Sequence, residues 1–135
     1  MNGFIVELKN KPGELARVAE AIAQKGINIT AFTGATCGET GSVVLITNDE
    51  AGTRQALRNA QITTREVELV PVALADKPGT LAEVARRLAD AGVNIEAAVP
   101  TGMSGGNVQL AFATDDPTKA RAALGDRVLA GTMSS

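Results

Sequence analysis

The feature that most constrains this chain is a repeat. Lys11 to Ile29 reads KPGELARVAEAIAQKGINI and Lys77 to Ile95 reads KPGTLAEVARRLADAGVNI, with 11 of 19 positions identical, no gap, and an offset of 66 residues. Self-similarity at a fixed period marks a duplicated structural unit. The same offset carries FIVELK (Phe4 to Lys9) onto VPVALA (Val70 to Ala75), and VVLITNDE (Val43 to Glu50) onto QLAFATDD (Gln109 to Asp116). Almost the whole chain is therefore two copies of one unit, residues 1–69 and 70–135.

Each copy has the same local signals. Phe4, Val6 and Leu8 alternate with more polar positions, as in a half-buried strand, and NKPG stops that strand. A helix follows, because Leu15, Val18, Ala19 and Ile22 form one apolar stripe and Gly26 suits a left-handed helix stop. Leu81, Val84, Ala85, Leu88 and Gly92 repeat the pattern. Ile27–Ala35 and Ser42–Thr47 read as a hairpin around CGETG, and TGMSGG (Thr101 to Gly106) as the matching turn. Asn48 or Asp49 caps a second helix, whose copy opens at Asp115-Asp116 with Pro117 at its first position. Ile62–Leu69 is the last strand of the first copy and runs into VPVAL with almost no linker, which predicts rigid coupling. The second copy ends weakly, in RVLAG and a TMSS tail. The order β-α-β-β-α-β, twice, predicts an α+β fold of two ferredoxin-like units in tandem, with helices covering one face of each antiparallel sheet. A unit of this size buries little surface alone, so joined units and a homodimer are expected.

Composition narrows the function. The chain has 135 residues, 44% of them apolar, with 13 basic against 15 acidic side chains, so it has a core to bury and no excess positive charge for nucleic acid. No 18-residue apolar run exists and the first residues lack a signal-peptide pattern, which predicts a cytoplasmic protein with no membrane partner. There is no His, and Cys37 is the lone cysteine. Histidine-based acid–base or nucleophilic catalysis, an internal disulfide and a thiolate zinc site are excluded, and no cofactor or metal is expected. An enzyme built on Glu14, Asp76 or Lys77 would need a pocket holding a strongly perturbed group. Cys37 has no basic neighbour in sequence to activate it, and TGMSGG lies between strands rather than before a helix, unlike a phosphate loop.

The Pro-Gly turn is the best candidate site. Pro12 fixes φ at a helix start, Gly13 lets a ligand approach, and the first-turn N–H groups of Gly13, Glu14 and Leu15 face outward with the helix dipole behind them. That makes a carboxylate socket, copied at Gly79, Thr80 and Leu81. Asn28 and Asn94 follow the helix; if their strand runs beside the one ending at Asn10 or Asp76, an amide there serves both carboxylate and ammonium. Asp76 adds a charged acceptor for an ammonium. The blander readings stay open: Pro-Gly as the way this strand enters this helix, and the Asn residues as local backbone partners. Lys11 and Lys77 read as solvated.

The paired segments NKPGELARVAEAIAQKGINI and DKPGTLAEVARRLADAGVNI resemble the signature of ACT domains, small βαββαβ regulatory modules, over roughly residues 3–131. The resemblance implies a free amino acid bound at an interface between modules. It points to Asn10, Pro12, Gly13, Glu14, Leu15, Asn28 and Ile29, and to Asp76, Pro78, Gly79, Thr80, Leu81, Asn94 and Ile95. Serine-binding members carry His two residues before the loop Asn; Leu8 and Leu74 stand there, which implies a less polar ligand. Members are commonly fused to the biosynthetic enzyme they regulate. Here the resemblance implies a non-catalytic sensor acting on a separate enzyme, or an oligomerisation and protein-interaction module that has lost its ligand.

Overall fold

The computed structural model describes residues 1–129. Its elements are β1 (Asn2–Lys9), α1 (Glu14–Ala23), β2 (Ile29–Cys37), β3 (Thr40–Thr47), α2 (Glu50–Asn59), β4 (Thr64–Ala75), α3 (Thr80–Asp90), β5 (Ile95–Ser104), β6 (Asn107–Thr114) and α4 (Pro117–Leu124). A short 3-10 turn, Gly125–Arg127, follows. The chain divides into two compact units: the first is Asn2–Val67, and the second is Glu68 onward together with Met1. The reading of two strands on either side of residue 69 gives way to a single strand, β4: Glu66 to Val70 supplies no turn residue, and Pro71 is accommodated within the strand opposite Ala111.

In the first unit β3 lies between β1 and β2, antiparallel to both, with Phe4 opposite Leu45 and Gly34 opposite Val43. On the other side of β1, Glu7 N–H donates to Thr63 O at 3.1 Å where the chain enters β4. The two-residue period of the strands puts Phe4, Val6, Val43 and Leu45 on one face, where they pack against Val18 and Ile22 of α1 and Leu57 of α2. Each such side chain contributes about 1.5–3 kcal/mol by leaving water. The second unit repeats this with β6 between β4 and β5, and Val70, Val72 and Phe112 against Val84, Leu88 and Leu124. Its final strand is reduced to a bridge from Val128 to Val72 and a Leu129 N–H···O bond to Pro71 at 2.9 Å. The end of RVLAG and the TMSS tail lie outside the described residues.

Three expectations are corrected. Leu15 and Leu81 do not complete the apolar stripes, being 47% and 55% exposed while Val18, Ile22, Val84 and Leu88 are fully buried. They sit in the first turn of their helices, outside the two core clusters. The hairpin loops are also tighter than the glycine-rich runs suggest, since β2 extends to Cys37 and β5 to Ser104. The 66-residue offset, finally, does not hold past the second hairpin. Asn48 accepts from Asn28 N–H at 3.0 Å and Asp115 from Asn94 N–H at 2.9 Å; Asp49 and Asp116 cap α2 and α4. The equivalent positions are thus 67 apart, and the extra residue is Thr101, bulged between Pro100 opposite Leu110 and Gly102 opposite Gln109.

The corrected alignment explains an orphaned hydroxyl. Thr47 Oγ1 lies 2.7 Å from Thr53 Oγ1 inside the first unit. Their equivalents are Thr114 and Ala120, and Thr114 Oγ1 is buried without a hydrogen-bond partner. Thr114→Val removes a desolvated donor and is expected to stabilise the chain by about 1 kcal/mol, whereas Thr47→Val takes the side-chain acceptor from Asp49 N–H (3.3 Å) and the Thr47 partner from Thr53, and destabilises by a similar amount. Thermal unfolding should report midpoint shifts of opposite sign, roughly 4 °C each at this chain length; shifts of the same sign would refute the account.

Candidate functional site

The Pro-Gly turns take the same shape in both units. Gly13 and Gly79 hold φ at +91° and +88°, and neither helix has a side-chain cap. An added Cβ would meet nothing within 4 Å at either glycine, so the left-handed backbone demands glycine here and crowding does not. The first N–H groups of a helix have no partner within it; in α3 one of them, Thr80 N–H, donates instead to Lys77 O at 3.5 Å. Asn10 closes the first turn from behind: its Nδ2 donates to Gly38 O and its N–H to Glu39 O, both at 2.8 Å. Asp76 N–H makes the corresponding bond to Gly106 O at 3.1 Å.

The two turns differ in where they carry charge. Glu14 Oε1 accepts from Lys9 N–H at 3.2 Å and lies 3.6 Å from Arg17 Nη2. The Lys9 hydrogen bond, against some desolvation and with help from Arg17, holds the Glu14 carboxyl below its ordinary pKa, so it is an anion at neutral pH and no proton donor. In the second unit the same position is Thr80, a buried residue whose hydroxyl donates to Lys77 O at 3.3 Å. Arg17 is replaced by Glu83, which pairs with Arg127 at 2.6 Å.

Asn10, Pro12, Gly13, Glu14 and Leu15 stand together, but Asn28 and Ile29 do not join them. β2 pairs with β3 and not with β1. Asn28 therefore lies at the far end of α1, about 15 Å of helix away. Asp76 to Leu81 and Asn94 are separated in the same way, with β6 between β4 and β5. Asn28 and Asn94 lock their helix-to-strand turns through the backbone, receiving N–H bonds from Asn48 at 3.1 Å and Asp115 at 3.2 Å in return for their own. Ile29 and Ile95 pack against the two cores.

A groove of about 350 Å³ begins at Leu15 and is walled by Leu8, Phe32, Gly34 and Val43, with Thr36 and Ser42 toward the β2–β3 turn. Phe32 is 61% exposed on the outermost strand of the unit. A Cβ on Gly34 would stand 2.9 Å from Ser42 O and 3.2 Å from Val43 Cβ, so glycine both permits close strand pairing and leaves the groove floor bare. Phe32, Gly34 and Val43 were not read as site residues; the available signal was an isolated glycine inside a strand, which marks close backbone approach. Among the described residues no cluster of three acidic, His or Cys side chains is arranged for a metal, and no helix is long and apolar enough to cross a membrane.

A second cleft, about 280 Å³, lies between α2 and β4 and is lined by Phe4, Arg54, Arg58, Thr64 and Glu66. Arg54 grips Glu66 with two bonds of 2.6 and 2.8 Å, and Asn2 Nδ2 adds a third at 2.7 Å. These bonds, the Arg54 one foremost, lower the Glu66 pKa from its ordinary 4.5 to about 2. A depressed carboxylate pKa stabilises the folded state above the unfolded value and loses that contribution as pH falls from about 4.5 toward 2. Glu66→Gln should unfold at a lower temperature than the parent at pH 7 and show a smaller further loss between pH 5 and about 2 in circular dichroism melts; parallel acid limbs would contradict the assignment.

The chain belongs to the family described as the ACT domain pair, whose pattern matches residues 2–130. No curated protein sequence matches it. Among solved structures, a protein from Bacteroides thetaiotaomicron is similar with a TM-score of 0.77 and 24% identity, over 95% of this chain and 90% of that one. The ligand-free regulatory subunit of aspartate kinase from Thermus thermophilus has a TM-score of 0.60 and 21% identity, over 91% and 86% of the two chains. Aspartate kinase from Clostridium acetobutylicum matches 91% of this chain with 32% of its own length, at a TM-score of 0.61 and 16% identity. At these identities the likeness establishes the fold.

Proposed function

We propose that this ACT domain pair is a non-catalytic regulatory protein that binds a free amino acid at an interface between ACT units. The observation that carries the reading is the uncapped helix start behind a left-handed glycine, present in both copies, which offers N–H groups and a positive dipole end to a carboxylate. Those groups belong to Gly13, Glu14 and Leu15, and to Gly79 and Leu81; Thr80 N–H is in part taken up by Lys77 O at 3.5 Å. Because Asn28 and Asn94 stand at the opposite end of their own units, an amide that meets the ligand's ammonium comes from a different unit, and a homodimer, which multiplies such units, is part of the proposal. Family membership and the likeness to a regulatory subunit of aspartate kinase support a cytoplasmic sensor that acts on a separate biosynthetic enzyme.

A second reading, an interaction module without a ligand, is favoured by one observation. The Asn10 amide is already committed to Gly38 O at 2.8 Å. Thermal unfolding against the twenty amino acids at about 5 mM separates the two. A ligand at roughly 100 times its dissociation constant stabilises by about 2.7 kcal/mol. Leu15→Asp is the informative variant, since Leu15 is 47% exposed and an acid in the first turn suits the helix while repelling a bound carboxylate. It should keep its unliganded midpoint and lose the ligand shift; a chain that responds to no amino acid is the interaction module. Gly13 is less suitable, because any side chain at φ +91° strains the backbone.

A further inference from the structure

We infer that the two copies are unequal, and that among the described residues the first unit and not the second carries the side-chain pocket, one shaped for an apolar α-amino acid. This rests on the proposed function and adds to it the ligand class and the number of sites. The groove opens at Leu15, in the same helical turn that presents the free N–H groups, so a carboxylate seated there directs its side chain between Leu8, Phe32 and Val43. Between these walls a polar side chain would lose its hydrogen bonds to water without replacement, since the two hydroxyls of the lining, Thr36 and Ser42, lie toward the β2–β3 turn. About 350 Å³ falls at the small end of ligand pockets, roughly 300–1,000 Å³.

The mouth of the groove complements a zwitterion. Arg17, 3.6 Å from Glu14, adds positive charge beside the helix start. The Glu14 carboxylate, ionised at neutral pH, is an acceptor one residue from Leu15 for an ammonium. An apolar amino acid has both charges and nothing polar beyond them.

The second unit keeps Leu74 and Leu81 but changes the rest. Register places Ala98, opposite Phe112, where Phe32 stands opposite Leu45, and Pro100, opposite Leu110, where Gly34 stands opposite Val43. The bare floor is replaced by a proline ring, the aromatic wall by a methyl group, and the strand is bulged at Thr101. At the mouth, Thr80 and Glu83 replace Glu14 and Arg17, so the helix start carries an acid where the first unit carries a base.

Calorimetric titration of the full chain with L-leucine, L-isoleucine, L-valine and L-methionine, against L-serine, L-lysine and L-glutamate, tests this. The expected result is one apolar amino acid per chain, bound at least roughly ten-fold more weakly by Phe32→Ala and unchanged by Met103→Ala on β5 of the second unit. Both substituted side chains are exposed, so unchanged melting curves confirm folding. Two ligands per chain, equal losses in the two variants, or a polar amino acid bound in preference would overturn the inference while leaving an amino-acid sensor standing. Binding of none of the seven, with no response to any amino acid in the thermal screen, would remove both.

Discussion

Each unit depends on a strand that reverses into a helix through one glycine held at positive φ. With φ at +91° at Gly13 and +88° at Gly79, the chain turns sharply enough for the helix to lie back across the strand it has just left. Val18 and Ile22 then land on Phe4, Val6 and Val43, and their counterparts on Val70, Val72 and Phe112. The same turn leaves the first residues of α1 outside the core cluster. Leu15 is thus kept out of the core by the geometry that builds the core, and an apolar side chain comes to stand beside free backbone donors. Fold and candidate site share one cause.

Much of this was legible in the sequence because duplication showed every signal twice. The element order, the buried Val18 and Ile22 pair and the aspartate caps follow from periods and capping chemistry that act within a few residues. What was not legible is what acts between elements. Strand order is not written in any one strand, so Asn28 seemed within reach of Asn10 until β3 was found between them. Helical periodicity marks Leu15 as apolar but says nothing of where the sheet ends. A gap-free match across the helix also hid the extra residue at Thr101, because a bulge shifts register without disturbing alternation on either side.

The copies diverge in a pattern that separates scaffold from site. Positions that set the turn and the core are kept or exchanged for similar side chains, as with Leu45 and Phe112, both buried. Positions around the groove change in chemistry: Phe32 to Ala98, Gly34 to Pro100, Arg17 to Glu83. Core drift is tolerated where its cost is small, as the unpartnered Thr114 hydroxyl illustrates. A duplicated fold needs its core twice, whereas one copy of a binding surface can be enough.

The groove also draws its walls from different elements, which bears on how a sensor could signal. Leu8 comes from β1, Leu15 from α1, Phe32 and Gly34 from β2, and Val43 from β3. A ligand shifts a conformational equilibrium only by its difference in affinity for the two states. A side chain held between the start of α1 and the outer strand favours the arrangement in which those two elements close on it. β2 is suited to that role: it pairs on one side with β3 within its unit, and ITAFTGATC carries no charge to resist another strand along its free edge. β5, with Glu96, Pro100 and a bulge, is protected against such pairing. On this argument, the unit that holds the Leu15 groove is also the one whose outer strand carries no charge along its edge.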